Sequence, residues 1–223
     1  MYKNKKIKDF DVYYSDKIPV EHFFTTRSFI VKDNLDILSE YLNVPRENII
    51  HPHQVHSDNI EYVTCKKEYP DCDSLILNKK NYAIYLNFAD CTPVILYDKK
   101  KNIAAIAHAG WRGTAQKIAP KTVLKMESNP KDIIALIGPC IGFDYFETYE
   151  EALIQLKNSV ENKEGLFKNN YADLKGINKR QLEESGVEEF DIIPFCTVKD
   201  NDKFFSYRKE NKTKLRHSAV IKL

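Results

Sequence analysis

The chain has 223 residues, 43% of them apolar and 30% charged, with a net charge of +2. That is enough for one sizeable core in a single domain, expected to span 1–223, and too balanced in charge to mark a nucleic-acid partner or an anionic membrane surface. No apolar run approaches the roughly 18 residues of a membrane span, and the charged start MYKNKKIKDF lacks the apolar stretch of a signal peptide, so the expectation is a cytoplasmic protein with neither nucleic acid nor membrane as a partner.

From the N-terminus, HFFTTR (22–27) reads as a strand. Residues 34–42 place Leu35, Leu38, Tyr41 and Leu42 at helical spacing, with Asp33 or Asn34 as cap and Pro45 as stop. NIEYVT (59–64) alternates like a strand. Two apolar strands, AIYLNFA (83–89) and PVILY (93–97), flank Asp90 and Cys91, and IAAIAHA (103–109) is a small-residue buried strand. A helix is expected over 111–127, kinked or restarted at Pro120, and then a buried strand over 132–137 that ends in GPCIG (138–142). Thr148 and Glu151 form a capping-box pattern for a helix to about Val160. A last helix covers 173–185 before Gly186, and strands follow at 190–195, 203–208 and 218–221. Strands and helices interleave through hairpin-like and crossover connections, so the class is mixed α/β with a mixed sheet.

Five cysteines without a CxxC pair do not make a disulfide framework, so each is either a small buried hydrophobe or a chemical group. Three segments put a candidate metal ligand at a strand edge: HPHQVH with His56, ADCTP with Cys91, and AHAGWRG with His108. Imidazole and thiolate together suit zinc or copper, and three protein ligands leave one position open, the catalytic pattern. Gly110 and Gly113 let backbone and ligand approach closely beside His108, and Pro93 fixes the chain after Cys91. His51 and His53, on either side of a proline, read as loop residues. Arginine is scarce, six against 28 lysines, which marks the arginines as candidates for the forked geometry that phosphate or carboxylate requires; Arg46 and Arg180 are expected in helix ion pairs instead.

The segments QVHS, FADCTPVIL, AHAGWRGT and IGPCIG, in this order, resemble the bacterial laccase-domain family, once called multicopper polyphenol oxidases and now associated with purine nucleoside phosphorylase and adenosine deaminase activity and with peptidoglycan editing. The likeness runs from Arg27 in HFFTTR to Arg208 in FFSYRK and on to the C-terminus. It implies a four-layer α/β/β/α sandwich related to the catalytic domain of cytotoxic necrotizing factor, with His56, Cys91 and His108 as metal ligands. It implies zinc, with copper as the other candidate, and a purine nucleoside and phosphate as substrates of a monomer or weak homodimer. Among the acids, Asp73 takes the family's position before a leucine strand; Asp73 or Asp90 would shuttle a proton, and Arg27 and Arg208 would hold phosphate. Gln54, Trp111, Arg112 and Cys140 are the remaining substrate-site candidates. Two segments depart from the family: Ser28-Phe29-Ile30-Val31 replaces a glycine-rich stretch, and FFSYRK replaces FFSHRR. Two other readings stay open: a Cys-His hydrolase with Cys91 as nucleophile and His108 as base, and a binding module with a structural metal.

Overall fold

The structure is a computed structural model and describes residues 1–64 and 68–223. Its strands form two six-stranded mixed sheets and one small ribbon. The first sheet holds β1 (Tyr2–Ile7), β2 (Phe10–Ser15), β3 (His22–Thr25), β4 (Ile49–Ile50), β7 (Ala83–Phe88) and β14 (His217–Lys222), in the order β1-β2-β3-β14-β7-β4. The second holds β5 (Ile60–Tyr62), β6 (Ser74–Leu77), β8 (Thr92–Asp98), β9 (Ile103–Ala109), β10 (Ile133–Ile137) and β13 (Glu189–Ile192), in the order β13-β10-β8-β9-β6-β5. Pairings β4–β7, β5–β6 and β10–β13 are parallel and the rest antiparallel, as the mixed-sheet expectation requires. The ribbon is β11 (Phe167–Lys168) with β12 (Tyr171–Ala172).

Side-chain alternation along these strands builds three layers of core. Ile84, Leu86 and Phe88 of β7 pack with Ile95 and Tyr97 of β8 and Leu75 and Leu77 of β6, so one cluster lies between the sheets. The opposite face of the second sheet, with Val94, Leu96, Ala105 and Ala107, meets α3 (Ile118–Lys125) and Leu182 of α5 (Leu174–Glu184). The opposite face of the first, with Phe23, Tyr85 and Val220, meets Leu38 and Leu42 of α1 (Leu35–Leu42).

Most central elements fall where periodicity puts them, and the differences have local causes. The β1–β2 hairpin escapes an apolar-pattern reading because YKNKKI carries lysines; it turns at Lys8, whose φ is 53°. The expected long helix after His108 is two, α2 (Trp111–Ala115) and α3, separated at Lys117 in the left-handed region (φ 59°) rather than at Pro120. Pro120 sits in the first turn of α3, where its missing N–H has no intrahelical partner to lose. The capping box is absent: Tyr149 precedes α4 (Glu150–Asn158), and the Thr148 N–H is drawn to the Asn170 carbonyl. Asn34 does not cap α1 either, since its side-chain amide donates to Ile30. Asp173 does cap α5, accepting from the Gly176 N–H at 3.0 Å, and Gly186 follows with φ 96°. The expected strand over 203–208 is a series of turns that buries Phe204 and Phe205 as anchors.

Candidate metal and substrate site

The inner face of the second sheet is apolar along its middle and turns polar at one end. Antiparallel β8 and β9 pair Pro93 with His108 and Thr92 with Ala109, so Cys91 reaches the position facing Gly110. Alternation then puts Cys91, Pro93, His108 and Gly110 on the face that carries Ile95 and Ile106 further along. Asp73 precedes β6 on the same face, and its carbonyl accepts from the His108 N–H at 2.8 Å. The cluster therefore lies where the layer between the sheets runs out, with the Phe88 ring of the other sheet 5.3 Å from His108.

His56 completes it from the loop after β4. Its φ of 64° is unusual for a residue with a side chain, and Asp73 supplies the compensation. The N–H groups of Val55, His56 and Ser57 all donate to the Asp73 carboxylate, at 3.1, 3.1 and 2.8 Å, and the Ser57 hydroxyl adds a fourth bond at 2.8 Å. The fifth donor is His108 Nδ1 at 2.7 Å. An ionised carboxylate only accepts, so Nδ1 carries a proton and Nε2 of His108 faces the cluster, where it would serve as a ligand after giving up its own proton to metal binding. Burial works against the Asp73 charge, but these bonds and the His108 charge dominate and hold the carboxyl at about 2. Burial also disfavours a Cys91 thiolate; the neighbouring His108 and His56 override it and lower the thiol.

The ligand atoms of His56, Cys91 and His108 lie within 4.8 Å of one another, and Cys91 Sγ is 3.7 Å from His56 Nε2. Zinc–nitrogen and zinc–sulfur bonds of about 2.0–2.3 Å in tetrahedral array put ligands roughly 3.5 Å apart, so the donor set fits such an ion after a small contraction. Asp73 behind His108 is the outer carboxylate that metal-bound histidines commonly have. Gly110 is required by space: a Cβ there would come within 3.0 Å of both Cys91 Sγ and His56 Cδ2.

The cluster opens onto a cavity of about 570 Å³. Its wall includes Gln54, Asp90, Trp111, Arg112 and Arg208 from the sequence reading and Arg216, marked there only by the scarcity of arginine, together with His51, His53, Asn87, Phe146 and Tyr207, which that reading left out or took as loop. The Gln54 amide is engaged at both ends by the Asn87 main chain, at 2.8 and 2.9 Å, so it fixes the wall. Asp90, with φ 82°, accepts from the Thr197 hydroxyl at 2.6 Å and from the Arg208 N–H at 2.7 Å. Trp111 meets Tyr149 edge to face, ring centres 5.6 Å apart, and carries the Arg112 guanidinium over its own ring. Besides Asp73, which stands behind His108, two candidates lie off this wall. Arg27 pairs with Glu210 at 2.9 Å, donates to the Asn201 carbonyl and stacks on Phe205. Cys140 is fully buried beside Cys196, and burial raises its thiol to about 11. Tyr207 had no sequence signal and Arg216 had no motif to place it, because both are brought in by the turns before β14.

Residues 26–223 match the family described as multi-copper polyphenol oxidoreductase laccase. A Clostridium acetobutylicum protein named purine nucleoside phosphorylase is 34% identical over 195 residues, covering 85% of this chain and 82% of its own length. One of the same name from Bacteroides thetaiotaomicron is 32% identical, covering 80% and 74%. Among solved structures, the Bacillus licheniformis hypothetical protein YfiH superposes with a TM-score of 0.85 at 26% identity, covering 92% of each chain. YlmD from Geobacillus stearothermophilus gives 0.81 at 26% identity, covering 90% of each. With the match spanning the whole of the second sheet and every member of the His56–Cys91–His108 cluster, the chain belongs to the multi-copper polyphenol oxidoreductase laccase family.

Proposed function

We propose that this chain is a zinc-dependent purine nucleoside phosphorylase that also deaminates adenosine. The observation that carries the reading is the His56–Cys91–His108 cluster, backed by Asp73, at the floor of a cavity walled by aromatic rings and arginines. Copper would find the same imidazole and thiolate donors acceptable. A multicopper oxidase is less well supported, because the described residues contain one such cluster and Met126 is packed into the outer core rather than offered as a ligand. A divalent ion at the cluster supplies Lewis-acid polarisation to a substrate or water oxygen.

The chain's own groups supply the rest. Asp73, with five donors already on its two oxygens, orients His108 and the His56 loop and is better suited to holding than to proton exchange. Asp90 keeps unused lone pairs on the cavity wall and is the better-placed acceptor for a substrate proton. Trp111, Phe146 and Tyr207 offer faces for a purine ring. In phosphorolysis a phosphate oxygen forms the bond to C1′ while the C1′–N9 bond breaks and the base leaves with a proton. In deamination water adds at C6 and ammonia departs. The substrates in this reading are adenosine, inosine and methylthioadenosine, and the names of the relatives support the first reaction. The enzyme acts as one catalytic domain over 1–223, in the cytoplasm, as a monomer or weak homodimer with no nucleic acid or membrane partner; no helix among the described residues is long and apolar enough to cross a membrane. The three core layers support the α/β/β/α sandwich and the likeness to the toxin domain.

A second reading has one observation in its favour: Asp73, His108 and Cys91 also form the acid–base–nucleophile line of a cysteine hydrolase. Incubation of metal-loaded protein with adenosine, inosine and methylthioadenosine, with and without phosphate, tests both. Release of free base that requires phosphate supports phosphorolysis. Turnover of an amide by metal-free protein, with no base released by the loaded form, gives the site to the hydrolase.

A further inference from the structure

The six arginines divide into two groups by what they face. Arg27 pairs with Glu210 at 2.9 Å, Arg46 with Asp36 at 2.9 Å and Arg180 with Glu183 at 3.6 Å. Arg112, Arg208 and Arg216 have no carboxylate partner among the described residues, and these three line the cavity. No lysine among the described residues is on that wall, although lysines outnumber arginines 28 to six in the chain. Its one carboxylate, Asp90, has each oxygen engaged, by Thr197 and by the Arg208 main chain. Guanidinium charge is thus concentrated in one concavity, three cations facing one carboxylate and none of them paired with it, and guanidinium is the cation whose fork matches a tetrahedral oxyanion.

The three are not equivalent. Arg208 spends Nη1 and Nη2 on the carbonyls of Tyr145 and Glu147, at 3.2 and 3.0 Å, and so ties its loop to the segment before α4. Arg216 gives Nη1 to the carbonyls of Thr213 and Leu215, at 2.5 and 2.8 Å, and keeps Nη2 and Nε uncommitted. Arg112 donates no hydrogen bond to any described residue and lies over the Trp111 ring, 4.4 Å from its centre. A guanidinium carries its N–H donors in its own plane, and a ring against its carbon takes up none of them.

We propose that Arg112 and Arg216 form a seat for a phosphate-class oxyanion beside the His56–Cys91–His108 cluster, with Arg208 as a positioning residue that holds the wall in place. The assignment rests on the phosphorolysis reading only for the identity of the occupant. The chemistry recognised is a tetrahedral phosphoryl dianion, free or as the 5′-phosphate of a nucleotide, and the co-substrate role requires the free ion.

The test is calorimetric titration of the metal-loaded full chain with inorganic phosphate, and separately with adenosine 5′-monophosphate, without turnover. Arg112→Gln and Arg216→Gln are each expected to weaken phosphate about tenfold, the scale of one charge-assisted hydrogen bond. Arg46→Gln and Arg180→Gln should leave it unchanged. Metal content and melting temperature are measured on each variant. If a Gln variant fails to fold, Arg112→Lys and Arg216→Lys keep the charge but lose the fork and should still weaken phosphate several-fold. Phosphate affinity within twofold of wild type in the double variant would overturn the seat. Arginine-dependent phosphate binding with no base released from inosine would keep the seat and remove phosphorolysis. Arginine-dependent binding of the monophosphate alone would overturn the co-substrate role.

Discussion

Asp73 holds His108 and His56 by different kinds of bond: it accepts the ring Nδ1–H of His108 at 2.7 Å and the main-chain N–H of His56 at 3.1 Å. One buried carboxylate thus sets the tautomer of one donor and the left-handed backbone of the other. Asp73→Asn keeps the size and removes the charge, and its amide puts an N–H where an N–H donor already points. Zinc affinity, measured by chelator competition, is expected to fall about 10–100-fold. Unchanged affinity would reduce Asp73 to a loop anchor.

Metal content follows the three donors. Wild-type protein should carry about one equivalent of zinc by elemental analysis, on the three-ligand logic, and Cys91→Ser should lose it. His108→Ala should abolish turnover and still unfold cooperatively in urea, because the inter-sheet core does not pass through the ion. A His108→Ala chain already unfolded at room temperature would favour a structural metal.

Gly110 tests the geometry without removing a donor. In Gly110→Ala the new Cβ meets Cys91 Sγ and His56 Cδ2 at 3.0 Å, while the native φ of −64° costs alanine nothing. The expected result is reduced zinc occupancy with a melting temperature within a few degrees of wild type. Full occupancy would mean that the cluster is looser than its distances indicate.

Acid should destabilise the fold through two histidines outside the site. Burial holds His217 down to about 3, with the Arg216 charge adding to it, and burial also lowers His22. The Ser15 N–H donates to Nε2 of His22 at 3.1 Å, and its Nδ1 lies 2.7 Å from the Val20 carbonyl, so a second proton would displace the Ser15 bond. Both values are depressed below that of an unfolded imidazole, near 6.5. As pH falls below that value the unfolded chain takes up protons that the fold refuses, and stability declines; at higher pH both states are neutral and the effect vanishes. Urea midpoints should drop steadily from pH 7 to 5; the ring resonances of His217 should not titrate over that range, and those of His22 should titrate below the ordinary imidazole midpoint. A midpoint near 6.5 for either resonance would contradict this.

The central strands, α1, α5 and the candidate donors were legible in the linear order of residues because their signals are local. Short continuous apolar runs define β7 to β10, an Asp–Gly bracket delimits α5, and a histidine or cysteine at a strand end is visible without coordinates. Register made the site. Pairing Pro93 with His108 brings Cys91 opposite Gly110, and the main-chain bonds on Asp73 turn His56 inward. The fate of each arginine was not legible. Arg27 sits in a strong motif, yet an acid 183 residues away claims it, whereas Arg216, in no motif, is carried to the cavity by turns. Propensity acts over a few residues and charge pairing acts through space, so the donors could be listed from the sequence, but only tertiary structure decides which arginines are left to face a ligand.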